Sequence, residues 1–126
     1  MIKRTAYVVL VVGAITTLVF TIYAARPAGL SQWLFFIAVA GWGLLPYALV
    51  GLTIRWLPAS KGSGIVLCMA AVLLSAFGAF GLYQSFVVHL DPQSAIVLIF
   101  LPLWQLLGLM PFLCMSWYLA NRRPAA

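Results

Sequence analysis

The chain has 126 residues, of which 66% are hydrophobic and only 6% are charged: seven Lys or Arg residues, one Asp and no Glu. Soluble domains are about 25% charged and need polar side chains to cover their surface. This composition therefore excludes a soluble fold and predicts a single transmembrane domain over residues 1–126, with the lipid bilayer as its surroundings. A net charge of +6 could indicate nucleic-acid binding. The basic residues are scattered at segment ends and form no patch, however, so we predict no nucleic-acid partner.

Four stretches are long and apolar enough to cross a bilayer as helices, which takes about 20 residues. The fold class expected is all-α, a polytopic membrane protein with four transmembrane helices. The first helix is predicted at about 5–24 and ends at Arg26-Pro27. Its apolar run is longer than the 7–15 residues usual in a signal peptide, so we interpret it as a retained helix. The second helix is predicted at about 31–56.

The remaining two helices are separated from their predecessors by residues typical of turns. The Ser- and Gly-rich stretch 58–64 predicts a turn before the third helix, at about 65–88. Asp91 and Pro92 then suit the N-cap and the first position of a fourth helix, at about 94–120. This last span is closed by Asn121-Arg-Arg-Pro124.

The charges predict an orientation for these four helices. One side of the membrane receives all the basic residues but one: Lys3, Arg4, Arg55, Lys61, Arg122 and Arg123. The other side receives Arg26 alone, with His89 and Asp91 nearby. Positive residues are retained in the cytoplasm, so we expect a multi-pass protein of the bacterial inner (plasma) membrane with both termini cytoplasmic.

The sequence also resembles itself at a shift of 65 residues. Gly43-Leu-Leu-Pro-Tyr47 aligns with Gly108-Leu-Met-Pro-Phe112, and Pro27 aligns with Pro92. Such matches suit two parallel-repeat helical hairpins related by an axis along the membrane normal. Chance similarity in so biased a composition is the alternative.

Three prolines interrupt the predicted helices at mid-membrane: Pro46, Pro102 and Pro111. Each removes one backbone hydrogen bond, and the kinks are interpreted as static packing features or as hinges. Small residues recur at every fourth position on the first helix (Gly13, Thr17, Thr21) and on the third (Ala71, Ser75, Ala79). Small residues permit close helix packing in lipid. We interpret these stripes as internal contacts; a homo-oligomer or another membrane protein is the alternative partner.

Residues that could carry chemistry are few. His89 and Asp91 are the only imidazole and carboxylate, and general acid–base catalysis usually needs two positioned groups. Ser85 and Ser94 lie nearby in sequence, but an interfacial His and a capping Asp explain the pair without catalysis. Cys68 and Cys114 are isolated and lack the spacing of a metal site. We therefore predict no catalytic residues, no cofactor and no metal.

Gln105 lies near the centre of the fourth helix, one turn after Pro102. Polar groups inside membranes are costly and tend to face inward. Its amide is expected to bond either the carbonyl that Pro102 leaves free or another helix, and a substrate-binding role is the functional alternative. The candidate functional or partner-contact residues are His89, Asp91, Gln93, Pro102 and Gln105.

The run Asp91-Pro-Gln93, followed by Phe100, Pro102 and Gln105, resembles a pattern in small, uncharacterised four-helix bacterial inner-membrane proteins. The resemblance implies architecture and no activity. We expect a non-enzymatic protein that acts through helix–helix interaction with a membrane-inserted partner, for example an immunity protein against a membrane-active toxin or an accessory subunit. The alternatives are a small oligomeric transporter or channel component and, ranked last, an enzyme using His89 and Asp91.

Overall fold

The computed structural model describes residues 1–58, 60–88 and 94–122. Four α-helices account for most of them: α1 (Ile2–Ala25), α2 (Leu30–Trp56), α3 (Lys61–Tyr83) and α4 (Ser94–Asn121). A π-helical segment, Gln84–Val88, continues α3. All four helices are long and apolar enough to span a membrane. The expected four-helix, all-α fold is confirmed, and the chain is a small multi-pass integral membrane protein.

The four helices form a bundle in which consecutive helices are not always the closest neighbours. The most extensive interface joins α1 to α3, and the next joins α3 to α4. Smaller interfaces join α1 to α2 and α2 to α4, while α2 and α3 meet only narrowly. Around the bundle the order is therefore α1, α3, α4, α2.

The α1–α3 interface is close because a glycine faces a serine. A Cβ added to Gly13 would lie 2.8 Å from Ser75 Cβ and 2.7 Å from Tyr47 Cε1. The Ser75 hydroxyl donates to the Val9 carbonyl at 3.3 Å. These contacts confirm the internal interpretation of the small-residue stripes at Gly13 and Ser75. Thr17, Thr21 and Ala71 on the same stripes are also buried.

The apolar core is divided into two clusters along the bundle. The larger cluster lies towards the two termini and contains Leu10, Val50, Ile54, Leu67 and Leu74. The smaller cluster, at the opposite end, consists of Leu82, Phe86 and Leu101. On α3 and α4, the residues between the two clusters include Gly78 and Gln105, so a polar layer separates them.

Polar contacts also fix the helix ends. The Lys3 ammonium donates to the carbonyls of Ile54 (3.1 Å) and Leu57 (2.9 Å). A cation at a helix C-terminus satisfies free carbonyls and suits the helix dipole, so Lys3 caps α2. At the other end of α2, the side-chain amide oxygen (Oε1) of Gln32 accepts from the backbone N–H of Ala28 at 2.8 Å.

The turn before α3 is shorter than the sequence predicts. The helix begins at Lys61 instead of near residue 65, and its first α-helical bond runs from the Gly64 N–H to the Ser60 carbonyl at 2.9 Å. The two glycines serve packing here: a Cβ on Gly62 would touch Leu119, and one on Gly64 would touch Ile2, both at 3.4 Å. Tertiary packing thus overrides the weak helix propensity of glycine.

The two copies of the repeated motif occupy different environments. Gly43, Pro46 and Tyr47 are buried in the bundle. The aligned Gly108 and Pro111 are exposed. α4 is therefore rotated about its axis relative to α2, and the hairpin repeat stays a prediction from the sequence.

Candidate functional site

The predicted site residues fall into two groups. His89, Asp91 and Gln93 lie outside the described residues. Pro102 and Gln105 lie on α4, and both are buried. α4 continues through Pro102, whose missing N–H leaves one carbonyl of the preceding turn without its helical partner.

Gln105 binds a neighbouring helix. Its side chain is 5% exposed, and its Nε2 donates to the Leu74 carbonyl of α3 at 3.3 Å. Of the two bonding modes that the sequence leaves open, the structure shows the one to another helix. The amide therefore ties α4 to α3 near the middle of the bundle.

Gly78 provides the space for this contact. A Cβ at that position would lie 2.6 Å from Gln105 Nε2 and 2.7 Å from the Tyr47 hydroxyl oxygen. Any larger residue would displace both groups. The amide of α4 and the phenol of α2 thus meet over one glycine of α3.

Tyr47 extends the contact to α1. Its hydroxyl oxygen lies 3.1 Å from Thr17 Oγ1, and Thr17 Oγ1 lies 3.0 Å from the Gly13 carbonyl. Both contacts can be hydrogen bonds only when the single hydroxyl proton of Thr17 goes to the Gly13 carbonyl, which can only accept. The phenol must therefore donate to Thr17, which in turn donates to Gly13. We call Thr17, Tyr47, Gly78 and Gln105 the polar cluster; each residue comes from a different helix.

Sequence reasoning identified Gln105 but missed the role of Tyr47. A signal was available, because Gly43, Tyr47, Val50 and Ile54 follow one another at intervals of three and four residues and would share one helix face. All four are buried. A tyrosine on a buried face needs a hydrogen-bond partner for its hydroxyl.

A second polar bond joins α2 and α4 near Pro102. The indole Nε1 of Trp42 donates to the Ile99 carbonyl at 2.8 Å. Ile99 lies in the turn before Pro102, where the helix loses a bond of its own. Trp42 therefore ties α2 to α4 in the turn before Pro102, next to the Leu98 carbonyl that the proline leaves without its helical partner.

The chemistry open to the polar cluster is hydrogen bonding. It contains two hydroxyls and one amide, which can donate and accept hydrogen bonds. A neighbouring cavity bounded by Thr17, Thr21 and Gln105 has about 10 Å³ of space, the lower limit for one water. Among the described residues no group of three or more His, Cys, Asp or Glu side chains comes together. The polar cluster therefore stabilises the packing of the four helices against one another.

Next to Gln105, on the lateral surface of the bundle, a cleft opens between α3 and α4. It encloses about 280 Å³ and is almost wholly apolar. Its lining includes three aromatic rings, the Gln105 amide and one glycine: Phe77, Trp104, Phe112, Gln105 and Gly108. Gly108 has no neighbour within 4 Å of where a Cβ would stand, and the Trp104 side chain is 62% exposed. We call this feature the α3–α4 cleft.

Comparison of the chain with models of known protein families, with curated proteins and with solved structures finds no match. The site is therefore interpreted from its own geometry.

Proposed function

We propose that the protein is a non-enzymatic membrane protein that binds a transmembrane helix of a partner protein in the α3–α4 cleft. The observation that carries the proposal is Gly108, an exposed glycine in the lining of an aromatic-rich cleft, with no neighbour within 4 Å of where a Cβ would stand. Helices associate in lipid where small residues let backbones approach closely. A partner helix packed over Gly108 would also meet the Gln105 amide.

The interior of the bundle supports this proposal over transport. A solute path needs polar groups that can exchange partners with the solute. In the described part of the chain, Thr17, Tyr47, Gln105 and Trp42 instead bond to other helices of the bundle. Because these interior polar groups are already hydrogen-bonded within the bundle, we place the binding site on its outer surface.

Photo-cross-linking in native membranes tests the proposal. A photoreactive residue in place of Phe77, on the rim of the cleft, should give one discrete adduct with an integral membrane protein. Filling the cleft by Gly108→Phe should abolish that adduct. The matched control is Gly41→Phe, since Gly41 is also an exposed helical glycine with no neighbour within 4 Å and lies on α2.

Three results would contradict the proposal. The first is an adduct with lipid alone, and the second is an adduct that survives Gly108→Phe. The third is an adduct of twice the chain mass, which would indicate a homo-oligomer instead of a separate partner.

Two versions of the function predict different phenotypes. If the protein is an immunity protein, Gly108→Phe should kill cells only when the toxin that it neutralises is present. If it is an accessory subunit, the same variant should lower the amount or activity of a larger membrane complex without toxin. Growth with and without each neighbouring gene separates the two versions.

A further inference from the structure

One end of the bundle carries most of the positive charge. Lys3 and Arg4 lie in the first turn of α1, Arg55 lies in the last turn of α2, Lys61 begins α3 and Arg122 follows α4. The contacts of Lys3 with Ile54, of Gly64 with Ile2 and of Gly62 with Leu119 bring these four helix ends together. The sequence has a single acidic residue, Asp91, and it lies outside the described residues. Negative charge from outside the protein would be attracted to the basic end.

Lys61 lies on the same face of α3 as the residues that line an apolar groove. The two glycines beside it pack inward, Gly62 against α4 and Gly64 against α1, while the Lys61 side chain is exposed. Ile65, Met69 and Val72 follow it at intervals of four, four and three residues. They therefore continue the same face of α3 below the ammonium group.

These residues line an apolar groove along α3 beside the start of α1. It encloses about 510 Å³ and has no polar lining. Its walls are Ile2, Ile65, Cys68, Met69, Val72 and Leu73. From Lys61 to Leu73 the helix rises by about 18 Å at 1.5 Å per residue. One leaflet of the hydrocarbon core is about 15 Å deep, half of its total thickness of about 30 Å.

A cation above an apolar groove one leaflet deep is complementary to an anionic phospholipid. We propose that this groove binds one acyl chain of such a lipid, with the Lys61 ammonium donating to the phosphate of its headgroup. A partner helix fits the groove poorly, because its floor carries bulky side chains at Ile65, Met69 and Val72 where close helix packing needs small ones. The Lys3 ammonium already gives two of its three donors to the carbonyls that end α2, so Lys61 is the better placed partner for the headgroup.

The test is lipid competition measured by native mass spectrometry of the full chain in a neutral detergent. Equal amounts of dioleoyl phosphatidylglycerol and dioleoyl phosphatidylcholine are offered together. One basic residue near an anionic headgroup is worth about 1 kcal/mol, so phosphatidylglycerol should bind about fivefold more tightly. Lys61→Gln should bring the ratio close to one, and Lys61→Arg should preserve it.

Two further variants locate the site. Arg26→Gln removes the one basic residue at the opposite end and should leave the preference unchanged. Met69→Trp fills the groove and should weaken binding of both lipids, while glycerol phosphate, which lacks acyl chains, should not bind. Equal binding of the two lipids by the natural protein would overturn the proposal. So would a preference that survives Lys61→Gln, or one that is lost equally in Arg26→Gln; circular dichroism checks that each variant is folded.

Discussion

At the scale of single residues, the Tyr47 hydroxyl is the group on which the polar cluster depends. It donates to Thr17 over a distance of 3.1 Å, and both side chains are buried. Hydrogen bonds between helices in membranes contribute about 0.6 kcal/mol on average and at most about 1.7 kcal/mol. We expect a coupling free energy in this range from a double-mutant cycle that combines Tyr47→Phe with Thr17→Val.

The cycle is measured as the free energy of unfolding in mixed micelles titrated with a denaturing detergent. The control pairs Thr17→Val with Tyr83→Phe, because Tyr83 is half exposed and is the last residue of α3. Its effects should add without coupling, as expected of independent sites. Simple additivity in the Tyr47 cycle would show that the hydroxyl bond contributes nothing.

The sequence could identify the amide of this cluster but not its partners. Gln105 stands out because a polar side chain in a membrane span must find a partner. The identity of that partner, the Leu74 carbonyl, depends on how α3 and α4 are rotated against each other. Tyr47 was harder to recognise, because tyrosine also occurs at membrane interfaces where water satisfies its hydroxyl.

At the scale of helices, the contact between α1 and α3 depends on the absence of a side chain at Gly13. In Gly13→Ala the new methyl group would lie 2.8 Å from Ser75 Cβ. Both atoms are attached to helix backbones, so the helices must separate. Overpacking of this kind costs about 1–3 kcal/mol, and we expect a loss of stability in that range in the same detergent titration.

Gly41→Ala is the matched control for this prediction. Gly41 is a helical glycine that faces open space. Alanine is the better helix former by about 0.8–1.0 kcal/mol, so this variant should be neutral or slightly more stable. If Gly13→Ala were as stable as Gly41→Ala, the close approach of α1 and α3 would be wrong.

The existence of the four helices could be predicted from the sequence, but their arrangement could not. Long apolar runs and the Arg26-Pro27 stop indicate the number and type of the elements. The sequence does not predict which helices are neighbours, because a helix that is apolar on all sides has no stripe that marks its inner face. The shortened turn before α3 was missed for a related reason: Gly62 and Gly64 look like turn residues and instead pack against Leu119 and Ile2.

At the scale of the whole molecule, two lateral surfaces of the bundle differ in the side chains that line them. The lining of the α3–α4 cleft includes an exposed glycine, which suits close packing of a helix. The groove below Lys61 is lined by bulky apolar side chains, which suit a flexible acyl chain. Leu73 lines both, so the two sites lie on either side of α3. A partner helix and a lipid could therefore occupy neighbouring surfaces at the same time.

The distribution of charge between the two ends makes a prediction about orientation. Positive residues near short loops are retained in the cytoplasm, and the end with Lys3, Arg55 and Lys61 carries most of them. A reporter active only outside the cytoplasm should be inactive when fused after Ala126 and active when inserted after Ala28. Immunoblots of both fusions control for expression. Activity after Ala126 would contradict the orientation. It would also place the groove below Lys61 in the outer leaflet.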